Sequence, residues 1–171
     1  MLEQLKEEGN AGAAVVLEPT TGEVLAISSF PDFDPNLFVL NSDPETLASY
    51  VAADSNSPLY NRAVQGSYIP GSTVKPLIAA MALDGGVVDE NYEFTGEIIK
   101  KQWTPKGYWP YPPITRVSNY SGPVNMSNAI TKSDNIYFAD VALKAGWEKL
   151  EPFLKMIGFD ERIPFDLRVS K

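Results

Sequence analysis

Residues 70–86 predict a helix with both of its ends marked, and this helix constrains the fold more than any other segment. A Pro-Gly turn signal directly precedes it, and residues 76–83 are rich in good helix formers. Pro76 is tolerated because it lies near the first turn, where its missing N–H costs least. Two consecutive glycines at 85–86 end the helix. We therefore expect a helix that begins at Ser72.

The start of this helix carries a serine and a lysine at a spacing that lets them meet. Ser72 and Lys75 are three residues apart, so a helix places them on one face. The free N–H groups at a helix start also favour negative charge that develops on Ser72. The chain has no histidine and no cysteine, which excludes a Ser-His-Asp triad, a Cys-His pair and a Cys/His zinc site.

A nucleophilic hydroxyl in this chain therefore needs another activating group, and a lysine amine is a known alternative. The competing interpretation is that Ser72 only caps the helix and that Lys75 is a solvated surface lysine. The short motif taken alone favours that structural interpretation, so a second motif is needed.

A second polar motif, Ser133-Asp134-Asn135, lies downstream between two apolar stretches. This pattern predicts two helices joined by a tight loop that offers two polar side chains to a cleft. The Ser133 hydroxyl could relay a proton, and the Asn135 amide could hold a substrate carbonyl and accept from a lysine. The structural alternative is an ordinary helix connection with Ser133 as a cap. We expect Asp134 to hold the loop rather than to take part in chemistry.

Ser-x-x-Lys and Ser-Asp-Asn are two of the three motifs shared by class A β-lactamases and penicillin-binding proteins. The chain resembles the transpeptidase domain of a penicillin-binding protein, most closely the class B type, over roughly residues 10–165. The longest similar run is residues 61–76, NRAVQGSYIPGSTVKP. Residues 13–26 resemble the opening hairpin of that family, and residues 30–36 resemble the segment that follows it.

The resemblance implies an α/β (α+β) penicillin-binding/β-lactamase-like fold, in which helices flank an antiparallel sheet and a helical subdomain is added. It also implies a D,D-transpeptidase that forms an acyl-enzyme on Ser72 and cross-links peptidoglycan stem peptides ending in D-Ala-D-Ala. Lys75 would be the base, Ser133 the proton relay and Asn135 the residue that orients the substrate amide. β-Lactams would acylate the same serine, and no metal or cofactor is implied.

The third motif of the family, Lys-Thr-Gly or Lys-Ser-Gly, does not follow Asn135 in this sequence. In the family it lies on a strand that lines the cleft. We therefore expect residues 1–171 to form a partial transpeptidase domain whose activity by itself is incomplete. The C-terminal remainder of the same domain is then an expected partner. The resemblance also places the protein at the extracytoplasmic face of the bacterial membrane, with an anchor outside this chain.

Three other functions share the first two motifs. A serine β-lactamase adds a glutamate that activates the deacylating water, and Glu148 and Glu151 are available, although neither lies in a recognisable deacylation loop. A β-lactam sensor or other binding module has the same pocket without cross-linking. A D,D-carboxypeptidase uses water as the acceptor, and only its products distinguish it from a transpeptidase.

Composition narrows the class of protein further. The formal net charge of −8 argues against a nucleic acid partner, because phosphate binding needs a basic surface. Apolar residues make up 44% and charged residues 21%, as in an ordinary globular domain. No apolar run is long enough to cross a bilayer.

The rest of the chain gives simpler structural predictions. Ala13–Leu17 and Val24–Ser28 predict an antiparallel hairpin that is buried on both faces. Residues 101–122 are rich in aromatic residues and proline, which excludes a helix or a central strand and predicts a loop, either over the cleft or held to the surface. Further elements are predicted as follows: a helix at Pro44–Ala53 capped by Ser42 or Asp43, strand-like ends of Tyr92–Lys101, and helices at Ile136–Ala145 and Glu148–Ile157 that stop at Gly158.

Overall fold

The computed structural model describes residues 7, 11–40, 43–51, 57–167 and 169. They fall into two compact units, residues 1–68 with 162–171 and residues 69–161. That both units belong to one partial domain stays a prediction. The first unit contains β1 (Gly12–Leu17), β2 (Val24–Phe30), α1 (Asn36–Leu40), α2 (Pro44–Val51) and α3 (Arg62–Gln65). The second contains a 3₁₀ turn (Gly71–Val74), α4 (Lys75–Asp84), β3 (Gln102–Trp103), β4 (Ile114–Thr115), α5 (Met126–Thr131) and α6 (Asn135–Met156).

The predicted hairpin is confirmed, but the prediction that both of its faces are buried is wrong. β1 and β2 pair antiparallel, from Gly12 opposite Phe30 to Leu17 opposite Val24. Helix α3 packs against both strands. Val15 and Val16 point to opposite faces, yet they are 46% and 51% exposed. Within the described residues the sheet has only these two strands, so its apolar side chains lack a covering layer near the turn.

Helix α2 begins where the sequence predicts it. Asp43 caps it, because its carboxylate accepts from the Thr46 N–H at 3.0 Å and from the Thr46 hydroxyl at 2.6 Å. The alternative cap Ser42 and the predicted end at Ala53 lie outside the described residues. Among the helices of the described residues, none is long and apolar enough to cross a membrane.

The core of the second unit lies where α4, α5 and α6 meet. Ile136, Tyr137 and Val141 of α6 are fully buried against the apolar side chains of α4. Burial of an aliphatic side chain such as Ile136 or Val141 contributes about 1.5–3 kcal/mol to folding. The buried hydrophobic cluster comprises Ile78, Ala79, Met81, Ala82, Val88, Phe94, Ala129, Ile136, Tyr137, Phe138, Val141 and Ala145.

Helix α6 is interrupted at Gly146, which agrees with the two helical segments predicted from the sequence. Gly146 has φ 66° and ψ 171°, a backbone conformation available almost only to glycine. The second segment ends at Gly158, where φ is 90°. The Phe159 N–H donates to the Leu154 carbonyl at 2.9 Å, as in a Schellman ending. The periodicity and the glycines of this region thus predicted both boundaries.

Residues 101–122 form an irregular loop that contains only the short hairpin β3–β4, as its prolines predicted. Trp103 packs edge-to-face on Phe94 at 5.1 Å between ring centroids. Tyr108 at the far end of the loop is 93% exposed. The strand-like start and end predicted for residues 92–101 are confirmed only as isolated bridges, Glu93 with Asn125 and Ile99 with Gln102, and the chain then turns through Lys100, which has φ 48°.

Candidate active site

Ser72 lies in the 3₁₀ turn that leads into α4. The predicted helix start is therefore confirmed, although its first turn is tighter than an α-helix. Gly71 makes the approach possible because it adopts φ 58°. The Thr73 hydroxyl donates to the Pro70 carbonyl at 2.7 Å and fixes this turn. The turn thereby presents the Ser72 hydroxyl beside the first residue of α4.

Lys75, the first residue of α4, is buried, with only 8% of its surface exposed. Its ammonium nitrogen Nζ donates to the Ser133 carbonyl at 2.6 Å, to the Ser133 hydroxyl at 2.9 Å and to Asn135 Oδ1 at 2.7 Å. The three donors of the side chain are therefore all used. The ring of Phe138 lies 5.9 Å from Nζ. Lys75 thus joins α4 to the loop between α5 and α6.

The hydroxyl of Ser133 connects the Ser72 hydroxyl with the Lys75 amine. Its Oγ lies 2.9 Å from Ser72 Oγ and 2.9 Å from Lys75 Nζ. Sequence spacing led us to expect direct contact between Ser72 and Lys75, but the Lys75 hydrogen bonds in the described residues all go to the α5–α6 loop. The Ser133 carbonyl, the Ser133 hydroxyl and Asn135 Oδ1 at the start of α6 accept from the three N–H groups of the ammonium. All four predicted site residues are nevertheless brought together.

The loop between α5 and α6 is as tight as the sequence predicts. Ser133 adopts φ 51°, a left-handed conformation that costs a non-glycine residue about 1–2 kcal/mol. Asp134 caps α6 by accepting from the Ile136 N–H at 2.9 Å. Asn135 Nδ2 donates to the Thr115 carbonyl of β4 at 2.9 Å. Because its Oδ1 accepts from Lys75, the Asn135 amide is oriented at both ends.

Burial lowers the pKa of Lys75 below that of an ordinary lysine, because removal from water disfavours the charged ammonium. The negative charge of Asp134 opposes this effect in part. A lysine with a lowered pKa has a larger neutral fraction at a given pH and can accept a proton. The arrangement therefore links the Ser72 hydroxyl through the Ser133 hydroxyl to an amine that can accept a proton.

Asp134 is held by two residues that the sequence analysis did not select. Arg116 Nη2 lies 2.8 Å from Asp134 Oδ2, and both side chains are buried. The Tyr120 hydroxyl donates to the same carboxylate at 2.6 Å, and burial together with this contact raises the pKa of Tyr120 to about 12. Arg116 is a single cation in an aromatic and proline-rich loop, so no motif marked it. The expectation that Asp134 holds the loop agrees with these contacts.

A second buried carboxylate, Asp140, lies one and a half turns farther along α6. The Tyr92 hydroxyl donates to it at 2.5 Å, and Lys144 Nζ lies 3.2 Å from it. Burial raises the pKa of Tyr92, and the hydrogen bond to Asp140 adds to this effect. These contacts hold Tyr92 against α6. Of the two glutamates considered for a β-lactamase, Glu148 is exposed and Glu151 pairs with Lys155 at 2.7 Å.

Comparison with known proteins gives consistent matches. The family profile of the penicillin binding protein transpeptidase domain matches residues 12–170. Penicillin-binding protein 3 of Bacillus subtilis is 37% identical over 172 residues, covering 100% of this chain and 25% of that protein. Peptidoglycan D,D-transpeptidase MrdA of Acinetobacter baumannii is 35% identical over 168 residues, covering 93% of this chain and 23% of that protein.

Among solved structures, penicillin-binding protein A from M. tuberculosis as an imipenem acyl-enzyme complex is similar, with a TM-score of 0.76 and 30% identity. The match covers 94% of this chain and 37% of that chain. The predicted mixed fold of helices and antiparallel sheet is thereby confirmed. This chain spans about a quarter of the length of the curated relatives it matches.

Proposed function

Because the chain belongs to the penicillin-binding protein transpeptidase family, we propose that the full-length protein is a serine D,D-transpeptidase that cross-links peptidoglycan. The observation that carries this proposal is the hydrogen-bonded chain from Ser72 Oγ through Ser133 Oγ to Lys75 Nζ, with 2.9 Å at each step. A nucleophile and a base joined in this way can move a proton without histidine. The same groups would react with β-lactams.

In the proposed acylation, Ser72 Oγ attacks the carbonyl carbon of the penultimate D-alanine in a stem peptide that ends in D-Ala-D-Ala. Both hydroxyls rotate, so the chain of hydrogen bonds can run in either direction. The Ser72 proton passes to Ser133 Oγ, and the Ser133 proton passes to the neutral Lys75 amine. When the C–N bond breaks, Ser133 gives its hydroxyl proton to the nitrogen of the departing D-alanine and takes a proton from the Lys75 ammonium, which returns to its neutral form. An ester on Ser72 remains.

In the proposed second half, the amine of another stem peptide attacks this ester, and an amide cross-link forms as the Ser72 oxygen regains its proton. The Ser72 N–H, at the start of a helix, would supply one donor to the oxyanion. The second donor is expected on the strand that carries the third motif. The Asn135 amide would orient the substrate, since the contacts with Lys75 and Thr115 fix its direction.

Three finer statements belong to the same proposal. Residues 1–171 would be part of one transpeptidase domain, and the C-terminal remainder of that domain would complete the cleft. The protein would act at the extracytoplasmic face of the bacterial membrane. Its partners would be peptidoglycan stem peptides and β-lactams, with neither nucleic acid nor a metal or cofactor involved.

The test is intact mass measurement of the full-length protein after incubation with benzylpenicillin, followed by peptide mapping. We expect a stable adduct on Ser72 in the wild type and no adduct in Ser72→Ala. Ser67→Ala is the control, and it should form the same adduct as the wild type. A donor peptide and an amine acceptor should then give the cross-linked product. Absence of the adduct from the wild type would refute the proposal. Turnover of a cephalosporin beyond one equivalent would instead favour a β-lactamase, and an adduct without cross-linking would favour a sensor.

A further inference from the structure

A buried ionic cluster lies directly behind the Ser133–Asn135 loop. The Asp134 side chain is fully buried, and its two oxygens receive three contacts. Oδ1 accepts from the Ile136 N–H at 2.9 Å. Oδ2 accepts from the Tyr120 hydroxyl at 2.6 Å and lies 2.8 Å from Arg116 Nη2. A buried carboxylate is tolerated only when such partners offset its lost hydration.

Both external partners of Asp134 come from residues 116–120, which follow β4. The Arg116 guanidinium is 6% exposed and stacks over the Tyr120 ring, 4.7 Å from its centroid. The Arg116 N–H donates to the Lys101 carbonyl at 2.9 Å, so the backbone is held as well. The preceding carbonyl, that of Thr115, accepts from Asn135. Residues 115–120 therefore contact both Asp134 and Asn135.

We propose that Arg116 and Tyr120 are positioning residues of the nucleophile site, which hold Ser133 and Asn135 against Lys75 through Asp134 and compensate the charge of that carboxylate. The inference rests on the proposed function, because it assigns a role within the same site. Neither residue touches the reacting atoms. They act through Asp134, whose neighbours Ser133 and Asn135 make all three hydrogen bonds of the Lys75 amine.

The groups around Lys75 show why the compensation matters. From the α5–α6 loop, the Asp134 charge acts on Lys75, while Ser133 and Asn135 are neutral. From α6 the neutral Phe138 ring faces it, and the neutral Ser72 hydroxyl of the 3₁₀ turn is linked to it through Ser133 Oγ. The residues that follow β4 contribute Arg116 and Tyr120, whose side chains both contact Asp134. At the end of α5 the charge of Lys132 is exposed to solvent.

Two measurements on the full-length protein test this inference. The first is the titration of Lys75 by NMR of isotopically labelled lysine, with the signal assigned through Lys75→Arg. The second is the rate of acylation by a fluorescent penicillin across the pH range. The variants are Arg116→Gln, Arg116→Lys and Tyr120→Phe. Lys132→Gln is the matched control, because it removes a nearby charge that is exposed rather than buried.

In Arg116→Gln the Asp134 charge loses its buried counter-charge and acts more strongly on Lys75. We expect the midpoint of the Lys75 titration to rise by about half a unit or more, a change of about three-fold in the neutral fraction. The acid limb of the acylation profile should move to higher pH by the same amount. Tyr120→Phe, which removes only one hydroxyl, should give a smaller shift in the same direction. Arg116→Lys keeps the positive charge, so its Lys75 titration should stay close to that of the wild type. Lys132→Gln should not shift the titration.

The inference is overturned if the Lys75 titration stays unchanged in both Arg116→Gln and Tyr120→Phe. It is also overturned if acylation falls by one factor at every pH while the titration does not move, because that pattern indicates a merely structural role. If Arg116→Gln does not fold, Tyr120→Phe decides the question. If the wild type is not acylated at all, the proposed function fails, whereas the NMR titration still decides whether Arg116 and Tyr120 act on Lys75.

Discussion

At the scale of the residue, the site depends on one buried lysine. Lys75 is surrounded by three acceptors and an aromatic ring, and within the part of the chain that the structure describes no carboxylate contacts it. A carboxylate in contact would hold the ammonium in its charged form, whereas neutral acceptors permit loss of the proton. Asp134 lies close enough to act on Lys75, but Arg116 and Tyr120 contact its Oδ2 and the Ile136 N–H donates to its Oδ1. The local chemistry therefore favours a lysine that can switch between base and acid.

Replacement of Lys75 by arginine tests its role as a base. Arginine keeps the positive charge but does not lose its proton in proteins, so it cannot accept one from Ser72. We expect Lys75→Arg to lower the rate of acylation by about 10²–10⁴-fold. Lys132→Arg, at an exposed position, should leave the rate unchanged. An acylation rate for Lys75→Arg within a few-fold of the wild type would exclude general base catalysis by this residue.

The lowered pKa of Lys75 predicts the pH dependence of acylation. Desolvation disfavours the ammonium, so the neutral base forms at a lower pH than in a lysine of ordinary pKa 10.5. The acylation rate should therefore be highest above the pKa of Lys75 in the folded protein and should be lost as the pH falls through it. The measurement is the rate of penicillin acylation between about pH 6 and pH 10. A rate that does not change across this range would contradict the prediction.

Ser133 combines a hydroxyl with a left-handed backbone, and two substitutions separate these properties. Ser133→Ala removes the bridge between Ser72 and Lys75 and should lower acylation by about 10²-fold or more. Ser133→Gly removes the same hydroxyl but also relieves the strain at φ 51°. Ser133→Gly should therefore be as inactive as Ser133→Ala, but it should melt at a higher temperature than Ser133→Ala. Ser127→Ala, on the exposed side of α5, is the control and should match the wild type in both measurements.

At the scale of the element, backbone conformation fixes where the site lies. Gly71 at φ 58° turns the chain into α4, and Ser133 at φ 51° turns it from α5 into α6. The two positions bring Ser72 and Asn135 to the starts of neighbouring helices. Sequence patterns predicted these boundaries well, because glycine, proline and capping residues act locally. They did not predict that β4 would supply a carbonyl to Asn135, since that contact depends on the path of a long loop.

The break in α6 gives a prediction of its own. A Cβ at Gly146 would meet nothing within 4 Å, so the cost of Gly146→Ala is purely conformational. At φ 66° and ψ 171° this cost is about 1–3 kcal/mol of unfolding free energy. Glu148 lies two residues later and is exposed, so Glu148→Ala should change the unfolding free energy by less than about 0.5 kcal/mol. Equal unfolding free energies for the two variants in urea denaturation would show that the break is not required.

At the scale of the whole molecule, the sequence predicted most helices and the grouping of the four candidate site residues, but it did not predict the contacts around them. The pair of motifs was sufficient to predict that Ser72, Lys75, Ser133 and Asn135 lie together, because each motif is short. Arg116 was missed because its role follows from tertiary contact with a residue 18 positions away along the chain, and a lone arginine carries no pattern. The hairpin was predicted, yet its burial was not, because burial depends on neighbours that a local pattern does not contain.

The exposed apolar side chains of the hairpin lead to the last prediction. Val16 and Leu25 are 51% and 62% exposed on a sheet of two strands in the described residues. Uncovered apolar strands promote association between chains. We expect the 171-residue chain, prepared by itself, to associate as its concentration rises, as measured by light scattering. The double variant Val16→Lys with Leu25→Lys should associate less.

Val39→Lys is the matched control for this effect. Val39 is 82% exposed, but it lies on α1 rather than on the hairpin. Each added lysine makes the net charge of −8 less negative, which weakens the repulsion between chains and by itself favours association. Reduced association of the hairpin variant therefore cannot come from net charge. If Val39→Lys reduced association as much as the hairpin variant, the hairpin would not be the associating surface. A chain that stayed monomeric at all concentrations would contradict the prediction directly.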